Sequence, residues 1–103
     1  MTGERIKQGV EACRHAAATA QTILLRGGTA LDAIEAAVNL LEDDPVLDAG
    51  RGSYLNSEGN VEMDALIMDG ATLDMGAVAA VQLVRHPISL ARRVMTDTEH
   101  TLL

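Results

Sequence analysis

Three carboxylates cross a short apolar run, NVEMDALIMDG, at residues 60–70: Glu62, Asp64 and Asp69. Two close carboxylates can divide the work of general acid and general base, one holding a proton while the other takes one, as they do in glycosidases. In an extended strand side chains alternate, so Glu62 and Asp64 share a face with Leu66 and Met68, whereas Asp69 falls on the other. No second pair, and no spacing across a cleft, can be read from the sequence. Hydrogen bonding to nearby loops is therefore the favoured role for Glu62 and Asp64, and Asp69 belongs most simply to the Asp69-Gly70 turn.

A second concentration of acid lies in LLEDDPVLDAGRG, residues 40–52. The last carbonyls of a helix have no intrahelical donor and sit at its negative dipole end, and Glu42, Asp43, Asp44 and Asp48 deepen that potential. A hard cation such as sodium or calcium suits oxygen ligands there, while a solvated acidic loop is the simpler reading of the composition. The spacing matches no EF-hand. Gly50, Gly52 and Ser53 form a glycine-rich turn without the lysine of a phosphate-binding loop or the flanking glycines of a nucleophile elbow, so close backbone approach explains it better.

His15, His86 and His100 are scattered, and Cys13 and His15 diverge at an i, i+2 spacing on a helix, which disfavours zinc. Removal of Met1 would expose Thr2 as an N-terminal nucleophile with its own amine as base. Thr2 nevertheless precedes a helix and reads as its N-cap.

These residues are carried by a short series of elements. From about Glu4 to Leu25, Ile6, Val10, Cys13, Ala17, Ala20 and Leu24 recur three or four apart, predicting an amphipathic helix with that stripe turned inward. Gly27 and Gly28 stop it. Thr29 caps a second helix, with Asp32 three residues on and Ile34, Ala37, Val38 and Leu41 inward, and Pro45 ends it. A short strand at Ser53–Asn56, a strand over Val61–Met68 and a third within MGAVAAVQLV follow, the last expected to be buried on both faces. Pro87 opens a third helix with Ile88, Ala91, Val94 and Met95 inward. No repeat, linker or low-complexity tract interrupts the chain. Two helices, a small antiparallel sheet and a helix make an α+β layer arrangement.

At 103 residues the chain suits one domain with a small core, roughly 60–70% of its unfolded surface being buried. With one Tyr and no Phe or Trp, that core must be packed from small and branched side chains. Eight basic against fifteen acidic residues leave a net charge of -7, which argues against nucleic acid and an anionic membrane surface as partners. One cysteine and no signal-peptide core predict a reducing, cytoplasmic setting.

Read together, LLEDDPVLDAGRGSYLNSEGNVEMDALIMDG, GAVAAV, HPISLARRVM and the closing H-T-L-L resemble the plant-type L-asparaginase/isoaspartyl peptidase family, from about Gln8 to Leu103. Those proteins are threonine hydrolases of the N-terminal nucleophile (Ntn) class. The resemblance implies a partial αββα sandwich, with residues 1–103 as most of the α-chain region of an Ntn-hydrolase domain. It implies a precursor that cleaves itself, and a β chain whose new N-terminal threonine hydrolyses the side-chain amide of L-asparagine or the β-aspartyl bond of isoaspartyl dipeptides. On that reading no catalytic residue lies in this chain, which needs the β-chain half as partner and acts within an oligomer of αβ units. By the same resemblance, main-chain carbonyls of Leu41, Glu42, Asp44, Leu47, Ala49 and Arg51 form a sodium loop, a structural Na+ being the one cofactor implied. Asp48 departs from the pattern: relatives commonly carry asparagine there, beside the substrate, so a carboxylate at 48 puts substrate choice in question. The glycosylasparaginase group is the near alternative, and a non-catalytic cation-binding or interaction module is the alternative from another class.

Overall fold

The computed structural model describes residues 3–44, 47, 62–82, 84–99 and 101–102, divided between two compact units, Met1–Gly52 and Ser53–Leu103. The expected Ser53–Asn56 strand lies outside the described residues. The elements that are described run helix, helix, strand, strand, helix, an α+β arrangement as the sequence predicts.

In the first unit α1 spans Gly3–Leu25 and α2 spans Ala30–Asp43. The glycine pair ends α1 by a definite geometry. Gly27 takes φ 85, Gly28 N–H donates to Ile23 O at 2.9 Å, and Gly27 N–H donates to Leu24 O at 3.1 Å. These paired bonds satisfy carbonyls that the helix end leaves open. Gly28 also has no room for a side chain, since an added Cβ would lie 2.9 Å from the Ile23 carbonyl oxygen. Thr29 then caps α2, its Oγ1 accepting from Asp32 N–H at 3.1 Å.

The two helices meet through mostly small residues. Ala16 of α1 and Ala33 of α2 are buried, while Gly9, Ala12, Thr19, Ala20 and Ile23 of α1 are half-buried. This corrects the predicted orientation of α1. Of its long apolar stripe, Ile6, Val10 and Leu24 are 53%, 50% and 52% exposed, and Cys13 and Ala17 are exposed as well. At about 100° per residue, the row Gly9–Ala12–Ala16–Thr19–Ile23 lies roughly a quarter-turn from that stripe. Glycine, alanine and threonine let two helix backbones come closer than Leu or Ile side chains do, so α2 is seated on the small-residue row. In α2 the expected stripe is partly realised, with Ala37, Val38 and Leu41 half-buried and Ile34 43% exposed.

In the second unit β1 (Met63–Met68) and β2 (Met75–Val81) pair antiparallel, Leu66 opposite Ala77 and Met68 opposite Met75. α3 (Pro87–Asp97) packs on one face of this ribbon. Pro87 occupies the first turn, where its missing N–H costs nothing. At the other end Thr98 Oγ1 donates to Val94 O at 2.7 Å, satisfying a terminal carbonyl. Ile67, Val78, Ile88, Ala91 and Val94 are the buried core, with Met95 half-buried beside them.

Gly76 sets how close strand and helix come. A Cβ there would collide with the Ala91 carbonyl oxygen and lie 2.6 Å from Met95 N, so only glycine fits. The opposite face of the ribbon carries exposed Leu66, Met68 and Ala79. Among the described residues β2 is therefore covered on one face, where valine-rich composition had predicted two. Its edge gains a third segment: Ala77 N–H donates to Thr101 O at 2.7 Å, and Ala77 and Leu102 form a parallel bridge.

Candidate functional site

The alternation of β1 puts Glu62, Asp64, Leu66 and Met68 on the exposed side, as the strand period requires. Each of the three acids of the NVEMDALIMDG run has a hydrogen-bond partner of its own. Glu62 Oε1 accepts from Gln82 Nε2 at 3.4 Å, and Asp64 Oδ1 accepts from Ala80 N–H at 2.7 Å. Asp69 closes the turn between the strands. Its Oδ1 accepts from Ala71 N–H at 2.9 Å, its carbonyl accepts from Leu73 N–H at 2.7 Å, and its own N–H donates to Asp74 O at 2.8 Å. A side chain that caps the amide two residues on is the usual task of aspartate in a turn. Carboxylates spent on structural donors at these positions hold strands and a turn; they are not arranged as an acid and a base about a common substrate.

The acidic helix end offers a different chemistry, based on main-chain oxygen. α2 stops at Asp43, and Asp44 N–H turns back to Leu41 O at 3.3 Å, while Leu47 N–H reaches Asp44 O at 3.3 Å. Both bonds are long, so each carbonyl keeps accepting capacity. Glu42 is buried, 4% exposed, whereas Asp43, Asp44 and Leu47 are half-buried. No group of three or more His, Cys, Asp or Glu side chains able to hold a metal occurs among the described residues. Of the residues singled out in this loop, Leu41 and Glu42 are in the last turn of α2, Asp44 is its C-cap, and Leu47 is hydrogen-bonded to Asp44. Asp48, Ala49 and Arg51 lie outside the described residues, as do Thr2, Gly50, Gly52, Ser53 and His100.

The first unit also holds a groove that the sequence does not announce. Glu4, Lys7, Gln8, Glu11, Ala12 and His15 of α1, with Asp44 beyond α2, line an open groove of ≈ 670 Å³. The signal is present in the three- and four-residue spacing of those polar positions, but it becomes a groove only once the small-residue row is chosen as the contact with α2. Three carboxylates against the single Lys7 leave its walls net negative.

A clear pKa shift belongs to Asp97, the last residue of α3. Asp97 Oδ1 accepts from Thr96 Oγ1 at 2.9 Å and its Oδ2 from Arg93 Nε at 3.1 Å. The hydroxyl first, and then the guanidinium, hold its carboxyl below the ordinary value of 3.8. No described helix is long and apolar enough to cross a membrane.

Comparison with known proteins bears on the same residues. The sequence profile of the asparaginase family matches residues 1–103. Over 100 residues the chain is 54% identical to the human isoaspartyl peptidase/L-asparaginase, 52% identical to that of Danio rerio, and 53% identical to the plant-type L-asparaginase of Pyrococcus furiosus. Each alignment takes in 97% of this chain and 32% of the relative. The chain thus spans about a third of the length of the curated relatives it matches. With a profile match over the whole chain and this identity, the chain belongs to the asparaginase family.

Proposed function

We propose that these residues are the α-chain-like part of an isoaspartyl peptidase/L-asparaginase that hydrolyses the side-chain amide of L-asparagine and β-aspartyl dipeptides. The observation that carries this reading is 52–54% identity, across 97% of the chain, to proteins bearing those names. The attacking threonine hydroxyl belongs to a β-chain segment outside these 103 residues. There it would form an ester with the aspartyl carbonyl, release ammonia or the α-amine of the following residue, and be freed by water. The structural employment of Glu62, Asp64 and Asp69 supports a wall-forming rather than a bond-breaking part for this chain.

Within that enzyme we assign two local roles. The carbonyls of Leu41, Glu42, Asp44, Leu47, Ala49 and Arg51 hold a structural Na+. The four described members are hard oxygen donors at a negative helix end, which fits such an ion. The ion's part is to fix the loop and not to touch the amide. Asp48 stands next to the substrate, where its charge disfavours a substrate carboxylate relative to asparagine at the same position. The cytoplasm is the compartment we assign, on the single Cys13, which is exposed. The partner is the β-chain half, in an oligomer of αβ units.

The test is complementation. The chain is co-expressed with the remaining two thirds of the Pyrococcus furiosus relative, and ammonia release from L-asparagine is followed in sodium and in choline buffers. Turnover by the pair is the expected result, with Asp48→Asn raising it. A correctly assembled pair with an intact N-terminal threonine and no turnover on asparagine or a β-aspartyl dipeptide would overturn the assignment. A melting temperature that is the same in the two buffers would count against the sodium loop.

A further inference from the structure

β2 has one residue more than β1 between the same two pairs. Ala65 lies opposite Val78 and Met63 opposite Val81, so on β1 Asp64 alone faces both Ala79 and Ala80. This is a bulge of two residues against one. Such a bulge commonly puts one residue in the left-handed region, and glycine is its usual occupant because an L side chain there crowds the following carbonyl. Here the position is taken by Ala80, at φ 53. The sequence offers no glycine to accommodate the bend, so something else must hold it.

The hydrogen bonds point to what does. Asp64 Oδ1 accepts from Ala80 N–H at 2.7 Å, short for an amide donor and assisted by the carboxylate charge. The next side-chain bond outward, from Gln82 Nε2 to Glu62 Oε1, is 3.4 Å and adds little. The structure assigns Asp64 as the clasp of this bulge: its carboxylate captures the amide of a left-handed alanine and so selects the strand register beyond it.

The choice of register has a packing consequence. Side chains alternate along a strand, so one inserted residue exchanges the two faces for everything that follows. Ile67 opposite Gly76 and Ala65 opposite Val78 lie on the side covered by α3. In a regular ladder the next partner of Met63 would be Ala80, and Val81 would move to the face of Glu62. The bulge instead sets Val81 opposite Met63, and both are half-buried. The clasp therefore keeps a valine on the helix-covered side. This holds whether or not the enzymatic assignment does.

The experiment is amide hydrogen exchange and side-chain NOE measurement on the 103-residue chain and three variants. Asp64→Ala is expected to speed exchange at the Ala80 amide at least about tenfold, and to replace the Met63–Val81 NOE with a Met63–Ala80 one. The Ala77 amide, bonded to Thr101 O, should stay within about twofold. Asp64→Asn keeps a carbonyl acceptor and should stay within about threefold of the parent. Adding Ala80→Gly to Asp64→Ala should bring back the Met63–Val81 NOE, because glycine takes the left-handed conformation unaided. Unchanged exchange at Ala80 in Asp64→Ala, or a double variant that keeps the Met63–Ala80 NOE, would overturn the clasp. If Asp64→Ala does not fold, Ala80→Gly alone decides: a midpoint raised by about 3 °C supports left-handed strain at this residue, and a lowered one refutes it.

Discussion

The two units bury their helices in opposite ways. α3 is 11 residues long and seals Pro87, Ile88, Ala91 and Val94 against the strands, whereas α1, at 23 residues, seals Ala16 alone. The longer helix has the longer apolar stripe, yet that stripe stays exposed at Ile6, Val10 and Leu24. What decides burial is the surface a partner can approach. Gly76 lets α3 come onto the ribbon at backbone distance, and the small-residue row of α1 does the same for α2. Regular spacing of large apolar residues gives a face that could be covered; small residues show where a neighbour already sits.

This contrast is broken most directly at Gly76. Gly76→Ala puts a methyl onto backbone atoms of Ala91 and Met95 that no rotamer change can move, and should cost about 3 kcal/mol in urea unfolding. A loss below about 1 kcal/mol would mean that strand and helix are not locked together. Val94→Ala empties part of a site that is 1% exposed and should cost about 2 kcal/mol.

Legibility follows the same division. Signals that act within a few residues are plain in the sequence: the Gly27-Gly28 stop, the Thr29 cap, the Pro87 start and the Asp69-Gly70 turn all fix local backbone with local atoms. The acids of β1 are also legible as scaffold, since alternation alone separates Asp69 from Glu62 and Asp64. Features that depend on a distant neighbour are not. The inward face of α1 depends on α2, the one-sided cover of β2 depends on α3, and the bulge at Ala80 carries no glycine to announce it. The groove along α1 escapes the sequence for the same reason, because it exists only after the packing row is known.

Smaller effects sharpen the comparison. Thr29→Ala removes the acceptor for Asp32 N–H and should cost about 1 kcal/mol, confined to the helical pair. Ile6→Ala, on the exposed stripe, should change stability by less than about 0.5 kcal/mol, although it removes more apolar surface than Val94→Ala. A larger loss there would show that the stripe is covered in solution.

The smallest expected effect is electrostatic. Asp97 has a folded pKa below its ordinary 3.8, so its contribution is complete above that value and is lost as pH falls through the lower folded pKa. The group is exposed to solvent, and its weight in stability is slight. An NMR titration of the carboxyl should find a midpoint below 3.8 that rises in Thr96→Ala and in Arg93→Ala. A midpoint at or above 3.8 would contradict the hydrogen-bond geometry.

Beneath these comparisons lies the claim that the acids of this chain build a wall and that the attacking hydroxyl comes from other polypeptide. Ammonia release from L-asparagine by the purified 103-residue chain measures it in one step. The account predicts none above the enzyme-free blank at any chain concentration. Multiple turnovers that scale with the amount of pure chain would contradict it.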